Sequence, residues 1–337
     1  MPAKKKKGIQ TVVFENPPVL TSWASIVGPK EGEGPWGGDF DWILEDYMFG
    51  EDTWEKAENK MLRETVKLAL SKNNLEPDDA EILLAGDLLN QVISSNFAAR
   101  ELGMPFLGLY GACSTVAEAL LTGAMLIDGG FCERIVAATC SHHHTAERQF
   151  RFPTEQGTQP TPSTQWTVTG AGAIVLEFLG VGPRITSATI GRVIDMKQND
   201  MTDMGSAMAP AAADTIKAHF HDLDIPSDYY DLVVTGDLAK VGMAILERLL
   251  VREGLTPKPN YSDCGVLIFD ESQGVNSGGS GCGCAACMLC GPLLKKMVKG
   301  EINKLLLVAT GALMSPTASY QGETIPGIAH AVAIENY

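Results

Sequence analysis

The stretch Pro105-Phe106-Leu107-Gly108-Leu109-Tyr110-Gly111-Ala112-Cys113-Ser114-Thr115 decides how the rest of the chain is read. An apolar run passes through glycine and alanine into a cysteine. Helical spacing begins directly after it, with Val116, Ala119, Leu120, Gly123, Leu126 and Ile127 recurring mainly at steps of three and four. Ser114 and Thr115 are residues that open helices. Cys113 is therefore expected at a strand-to-helix turn, beside unpaired backbone N–H groups and the positive end of the helix dipole. Such a place lowers a thiol pKa and attracts carboxylates or phosphates. A small buried cysteine in a packed turn fits the same letters.

Outward from this turn the pattern alternates strand and helix. Before it come a strand at 11–14, an irregular Gly-, Pro- and Trp-rich loop at 15–50, an amphipathic helix at 54–73, a strand at 81–85 ending in Gly86-Asp87, and a helix at 94–102. After it come a helix to 128 closed by Gly129-Gly130, a strand at 134–140 running into Ser141-His142-His143-His144, a polar stretch to Trp166, and a strand at 168–178. The second half predicts strands at 184–193, 231–235, 265–270, 303–310 and 329–335, with helices at 204–221, 241–253 and 284–299.

The two halves repeat in their letters. Ile82-Leu83-Leu84-Ala85-Gly86-Asp87-Leu88 parallels Leu232-Val233-Val234-Thr235-Gly236-Asp237-Leu238, with Asp87 and Asp237 150 residues apart. Arg134 to Thr139 parallels Leu305 to Thr310, an offset of 171 that carries Cys113 onto Cys284. The expectation is an α/β chain of two βαβαβαββ halves, 1–180 with loop insertions at 15–50 and 141–167, and 181–337. Packed about a pseudo-twofold axis, they give five αβαβα layers, with the Cys113 and Cys284 helices buried between two sheets.

The net charge of −15 argues against nucleic acid as a partner. Lys4 to Lys7 form a basic tip, read either as a solvated tail or as a weak contact to anionic lipid. Thr11 to Phe14 is too short for the apolar core of a signal peptide, and no run approaches membrane-spanning length. Eight irregularly spaced cysteines read as reduced thiols. His142-His143-His144 point in different directions and lack a second cluster, and Cys282, Cys284, Cys287 and Cys290 fall on a buried helix, so neither group is assigned a metal. The run Gly278-Gly279-Ser280-Gly281 suits a phosphate cradle or the close meeting of two helix starts. Asp237 reads as a cap for the turn that follows it.

The layout resembles the thiolase fold of thiolases and β-ketoacyl synthases. The resemblance implies that Cys113 holds the position of their acyl nucleophile. It also implies partners from the second half, two histidines, a His and a Cys, or a His and an Asn. The synthase histidine position here reads Gly236-Asp237, the thiolase histidine turn reads Ser277 to Gly283, and only His330 remains as a base. A closer resemblance, to the stage V sporulation protein AD family of spore-forming bacteria, rests on Ala85 to Gln91, Gly111 to Thr115, Thr145 to Arg151, Asp203 to Lys217 and Gly278 to Cys282.

That resemblance implies a thiolase scaffold without thiolase activity and without a cofactor. It implies binding of dipicolinic acid (pyridine-2,6-dicarboxylate) or its calcium chelate. It also implies partnership with the other stage V sporulation A membrane proteins and a peripheral place at the spore inner membrane; the oligomeric state stays open. The residues expected at the ligand are Cys113, Asp87 and Ser114 at the floor, with Lys30, His142, Arg148 and His330 to balance charge. The alternatives are an acyltransferase using Cys113 with His330, and a structural partner in a membrane complex.

Overall fold

The computed structural model describes residues 4–151, 159–255 and 260–337. Ten strands carry the architecture. In chain order they are β1 (Val19–Val27), β2 (Ile82–Gly86), β3 (Phe106–Gly108), β4 (Arg134–Ser141), β5 (Gly170–Glu177), β6 (Arg184–Thr189), β7 (Leu232–Thr235), β8 (Tyr261–Asp263), β9 (Lys304–Ala312) and β10 (Gly327–Glu335). They hydrogen-bond in the order β8-β7-β9-β10-β6-β1-β5-β4-β2-β3. Read outward from the β6–β1 junction, the two arms have the same topology, which is the repeat expected from the letters. The arms meet through the Arg184–Val19 register pair.

The helices are α1 (Trp54–Ser71), α2 (Ile93–Leu102), α3 (Thr115–Asp128), α4 (His143–Phe150), α5 (Met204–Leu223), α6 (Ala239–Arg252) and α7 (Cys282–Met288). Helix α3 packs on β2, β4, β9 and β10, and α7 packs on β4 and β5, so both lie between the sheet arms. Helix α1 covers the outer face of β1, β4 and β5, and α5 covers β9 and β10. Three apolar clusters fill the spaces between these five layers. Local signals start the helices. Thr53 accepts from the Lys56 amide at α1, and Asp203 accepts from the Ser206 amide at 3.1 Å at α5.

Several sequence expectations are corrected. The stretch 15–50 contains β1, a nine-residue strand at the centre of the sheet. Its period is obscured because it is largely buried and carries Ser22 and Ser25 among apolar residues. These polar groups find local partners. Ser22 Oγ donates to the Ala69 carbonyl at 2.8 Å, and the Ser25 amide donates to Asp41. The strand expected at 265–270 is a strand at 261–263 followed by a short helix, Cys264–Leu267. Asp263 turns the chain there by accepting from the Val266 amide. The stretch 141–167 holds helix α4, and residues 152–158 of it lie outside the described residues. The helix expected over 284–299 opens at Cys282 and passes through a π turn at Leu289–Leu293, where Pro292 lacks an amide hydrogen, before Leu294–Val298.

The centre is closed by backbone meeting backbone. A Cβ on Gly172 of β5 would lie 2.6 Å from the Ala286 carbonyl oxygen of α7. A Cβ on Gly170 would lie 2.5 Å from Cys287 Sγ. Neither neighbour is a flexible side-chain end. Gly172→Ala is therefore expected to destabilise the protein by about 1–3 kcal/mol in denaturant unfolding, because the helix must move off the strand. An unchanged midpoint would show that the helix can yield.

Candidate functional site

The turn before α3 is set by its own side chains. Thr115 Oγ1 donates to the Ala112 carbonyl at 2.6 Å and accepts from the Gly111 amide at 3.0 Å. Ser114 Oγ donates to the Gly111 carbonyl at 2.6 Å. Both hydroxyls are thus committed to the turn. Ala112 is held at φ 50°, a left-handed conformation that costs a residue with a Cβ free energy. The second half reaches this turn through Gly311 of β9, where any Cβ would overlap the Gly111 carbonyl.

Cys113 is 7% exposed and forms part of the wall of a cavity of about 450 Å³. Leu88 to Val92 line one side of the cavity, and Ala312 to Pro316 line the other. Gln91 and Val92 lie at φ 58° and 47°, a rare conformation for a β-branched residue such as Val92. Tyr110, Ala112, Phe150, Arg151, Thr167, Met204 and Ser280 also line it. Most of the lining is apolar, and Arg151 is its only charged residue among the described residues.

The Arg151 side chain is 4% exposed. One guanidinium nitrogen donates to Ser280 Oγ at 2.9 Å, and another donates to the Gln165 carbonyl. Glu147 lies 3.4 Å away, and Nε has no partner among the described residues. Thr167 Oγ1 is likewise without one. Arg151 lies within the Thr145 to Arg151 stretch but carries no local signal of a site, because its partners Gln165 and Ser280 are distant in sequence.

Asp237 is the second residue missed. It is 1% exposed and accepts from Thr310 Oγ1 at 2.7 Å and from the Gly281 amide at 3.0 Å. Burial pushes its carboxyl up to about 7, against the opposing pull of Thr310, Gly281 and Cys113. The capping role expected of it belongs to Asp263, which accepts from the Leu238 and Ala239 amides. The Cys113 thiol is correspondingly pushed well above its ordinary value, first by burial and then by Asp237 and Cys282, with Arg151 opposing. This reverses the expectation that the helix start lowers it. Desolvation outweighs the dipole when the thiol faces a carboxyl.

The other residues expected at the ligand are spread through the fold. Asp87 is buried behind the cavity wall. It accepts from the Leu89 amide at 2.9 Å and from the Ser95 amide and hydroxyl at 2.8 and 2.7 Å. It thereby fixes the Leu88 to Val92 segment. His142 caps α4 by accepting from the His144 amide on Nδ1, so its other ring nitrogen donates to the Tyr47 carbonyl at 2.8 Å. Burial holds it neutral, with its pKa lowered to about 4. Lys30 donates to the Gln273 carbonyl at 2.7 Å and sits 4.3 Å above the Trp166 ring. Arg148 pairs with Glu55 and lies over Trp54. His330 Nδ1 accepts from the Gly191 amide at 3.1 Å, and burial lowers its pKa to about 4. Of the seven, only Cys113 lines the cavity, and among the described residues no histidine does.

Cys284 is the third residue of α7; Cys282, at its start, packs beside Cys113 and Leu88 and donates to the Cys140 carbonyl at 2.9 Å. Among the described residues, no group of three or more His, Cys, Asp and Glu is placed to hold a metal ion.

A cysteine at the head of a buried helix, met by strand ends from a repeated second half, defines the thiolase-like class to which the condensing enzymes belong. Solved structures with this fold include 3-oxoacyl-[acyl-carrier-protein] synthase III from Aquifex aeolicus VF5, with TM-score 0.58 and 13% identity over 95% of this chain and 100% of that one. An OleA variant from Xanthomonas campestris with cerulenin has TM-score 0.63 and 11% identity over 96% of this chain and 98% of that one. The chain itself belongs to the stage V sporulation protein AD family, whose profile matches residues 8–335. Stage V sporulation protein AD of Bacillus subtilis (strain 168) is 48% identical over 331 residues, 98% of each chain.

Two tests follow from this geometry. Asp87→Ala is expected to lower stability by about 1–3 kcal/mol by leaving the Leu89 and Ser95 amides without their acceptor, and an unchanged unfolding midpoint would separate Asp87 from the cavity wall. For Asp237, the folded carboxyl titrates at about 7 against an ordinary 3.8, so the folded state holds the extra proton and the group's contribution is lost as pH rises through about 7. The stability of Asp237→Asn relative to the parent should therefore improve between about pH 5 and pH 8, by a few kcal/mol at most. A pH-independent difference would mean that Asp237 is ionised throughout.

Proposed function

We propose that this chain is a ligand-binding protein on a condensing-enzyme scaffold, and that its cavity takes dipicolinate or its calcium chelate. It would work with the other stage V sporulation A proteins at the spore inner membrane, in loading the compound during sporulation and releasing it at germination. The observation that carries the ligand reading is Arg151. A single buried guanidinium lines a mostly apolar cavity, which suits a flat ring bearing carboxylates.

Ser280 and Thr167 add hydroxyls on the same wall, and Phe150, Leu88 and Met314 provide apolar surface for the ring. Charge balance favours this reading too. The Cys113 thiol stays neutral, and Asp237 behind it is held near half protonation at neutral pH. Calcium brought in by the ligand would offset the second carboxylate. The helix dipole at Cys113 favours the same sign of guest.

An acyltransferase needs a base that takes the thiol proton and donors that hold the thioester oxygen. Here the group at the thiol is a carboxyl that raises its pKa, and His142 and His330 are hydrogen-bonded elsewhere. The chain is accordingly read as non-enzymatic. The likeness of its fold to condensing enzymes keeps the Cys113 acyltransferase as the competing reading.

Calorimetry with dipicolinate, with and without Ca²⁺, tests both. Arg151→Gln should weaken binding roughly ten- to a hundredfold, the worth of a charge-assisted hydrogen bond of about 1.5–3 kcal/mol. Cys113→Leu should abolish binding by filling the floor, while Cys113→Ser keeps much of it. Binding by Cys113→Leu equal to the parent's would move the ligand elsewhere. Turnover of acetoacetyl-CoA above that of a Cys113→Ala control would favour the enzyme.

A further inference from the structure

A second cavity, of about 180 Å³, adjoins the first at Arg151. The same stretches of chain line both. Helix α4 gives Phe150 to the first cavity and His143 and Glu147 to the second. The strand Gln165–Thr167 gives Thr167 to the first, and Gln165 and Trp166 to the second. The strand paired with it, Gly278–Ser280, gives Ser280 to the first, and the turn before it gives Val275 and Asn276 to the second. Met204 lines the first, and Met201 and Thr202 line the second. Arg151 lines both, so its side chain is part of the partition between them.

The second cavity differs from the first in charge. Glu147 and Arg151 stand one turn apart on α4, with Oε1 and a guanidinium nitrogen 3.4 Å from each other. An anion and a cation therefore share one wall. His143, a turn earlier, is buried and stacks on the Trp166 ring at 3.6 Å. Burial, then His144 and Arg151, lower its pKa to about 2, so it adds no charge.

Four polar atoms of these lining residues have no hydrogen-bond partner among the described residues. Trp166 Nε1 and Arg151 Nε are donors, Gln165 Oε1 is an acceptor, and His143 Nδ1 is either, by tautomer. Buried polar atoms without partners are rare, and a group of them around one cavity calls for a guest that both gives and accepts hydrogen bonds. Met201 and Val275 add apolar surface, and the exposed Gly274 and Asn276 open the cavity to water.

We propose that the second cavity binds a small zwitterion of the α-amino acid class. Its carboxylate takes the Arg151 guanidinium and the Trp166 N–H, and its ammonium donates to Glu147 and the Gln165 side-chain carbonyl. The lining side chains turn to meet it, and its own side chain lies against Met201 and Val275. Glu147 disfavours a second carboxylate, which separates this guest from that of the first cavity. The two sites share one guanidinium. On the side of the first cavity Arg151 donates to Ser280 Oγ at 2.9 Å, and a carboxylate is a stronger acceptor than a hydroxyl. Filling the second cavity therefore draws Arg151 from the first and weakens binding there, and the effect is reciprocal. The site stands apart from the ligand proposed above; the coupling rests on that reading.

Calorimetry of the full chain with L-leucine tests the site. Binding is expected in the millimolar range or tighter. N-acetyl-leucine, which lacks the ammonium, and leucinamide, which lacks the carboxylate, should bind about tenfold more weakly or worse. Thr202→Phe should remove leucine binding by filling the cavity and keep the parent's affinity for dipicolinate. Glu147→Gln, which keeps the shape, should weaken leucine about tenfold. Saturating leucine should weaken dipicolinate about fivefold or more in the parent and not in Thr202→Phe. Absence of leucine binding at about 10 mM overturns the proposal. So does binding of the acetyl or amide form equal to leucine's, or leucine binding by Thr202→Phe and Glu147→Gln equal to the parent's. A dipicolinate affinity that leucine leaves unchanged overturns the coupling. A parent that binds leucine but not dipicolinate would sink the ligand reading of the first cavity and leave the second site standing.

Discussion

The structure depends on how closely its two central helices approach the strands around them. Gly172 lets the backbone of α7 rest on β5, and Gly311 lets β9 rest on the turn before α3. A methyl group at either place would separate the layers by more than van der Waals contact tolerates. This approach brings the strand ends of the second half to the thiol of the first. Asp237 and Thr310, from β7 and β9, and Gly281, from the start of α7, close around Cys113 from the side the first half cannot reach.

That closeness also sets the chemistry. A helix start alone would favour a thiolate. The same burial that assembles the site removes water from the sulfur and sets a carboxyl beside it, so the thiol is held protonated. The cavity in front of it then offers shape, one guanidinium and two hydroxyls rather than an activated nucleophile. The fold is shared with condensing enzymes, and the residues around the cysteine set the state of its thiol.

The repeated halves place related residues in unlike roles. Asp87 and Asp237 end equivalent strands and are both buried with raised pKa values, first by desolvation. Asp87 gives its oxygens to the backbone of the segment that becomes the cavity wall, whereas Asp237 gives its own to Thr310 and the Gly281 amide. One supports the cavity indirectly and the other tunes its floor. The difference arises because Ser95 and Leu89 turn back over Asp87, while Asp263 takes the corresponding amides after Asp237.

The sequence by itself determined the alternation of strand and helix, the repeat that pairs β2 with β7 and β4 with β9, and the cysteine at the helix start. These are local signals of periodicity, glycine punctuation and repeated letters, and they survive without neighbours. It left β1 hidden, because a strand buried in the middle of a sheet needs no alternation, and its serines find partners only in α1 and at Asp41. It also placed Lys30, His142, Arg148 and His330 near a ligand on charge alone. Tertiary structure committed each of them to a carbonyl, a cap, an ion pair or an amide. Only the folded chain could bring Arg151 to the cavity and Asp237 to the thiol. Those contacts join residues far apart in sequence, and their energies come from burial, which no single stretch of letters specifies.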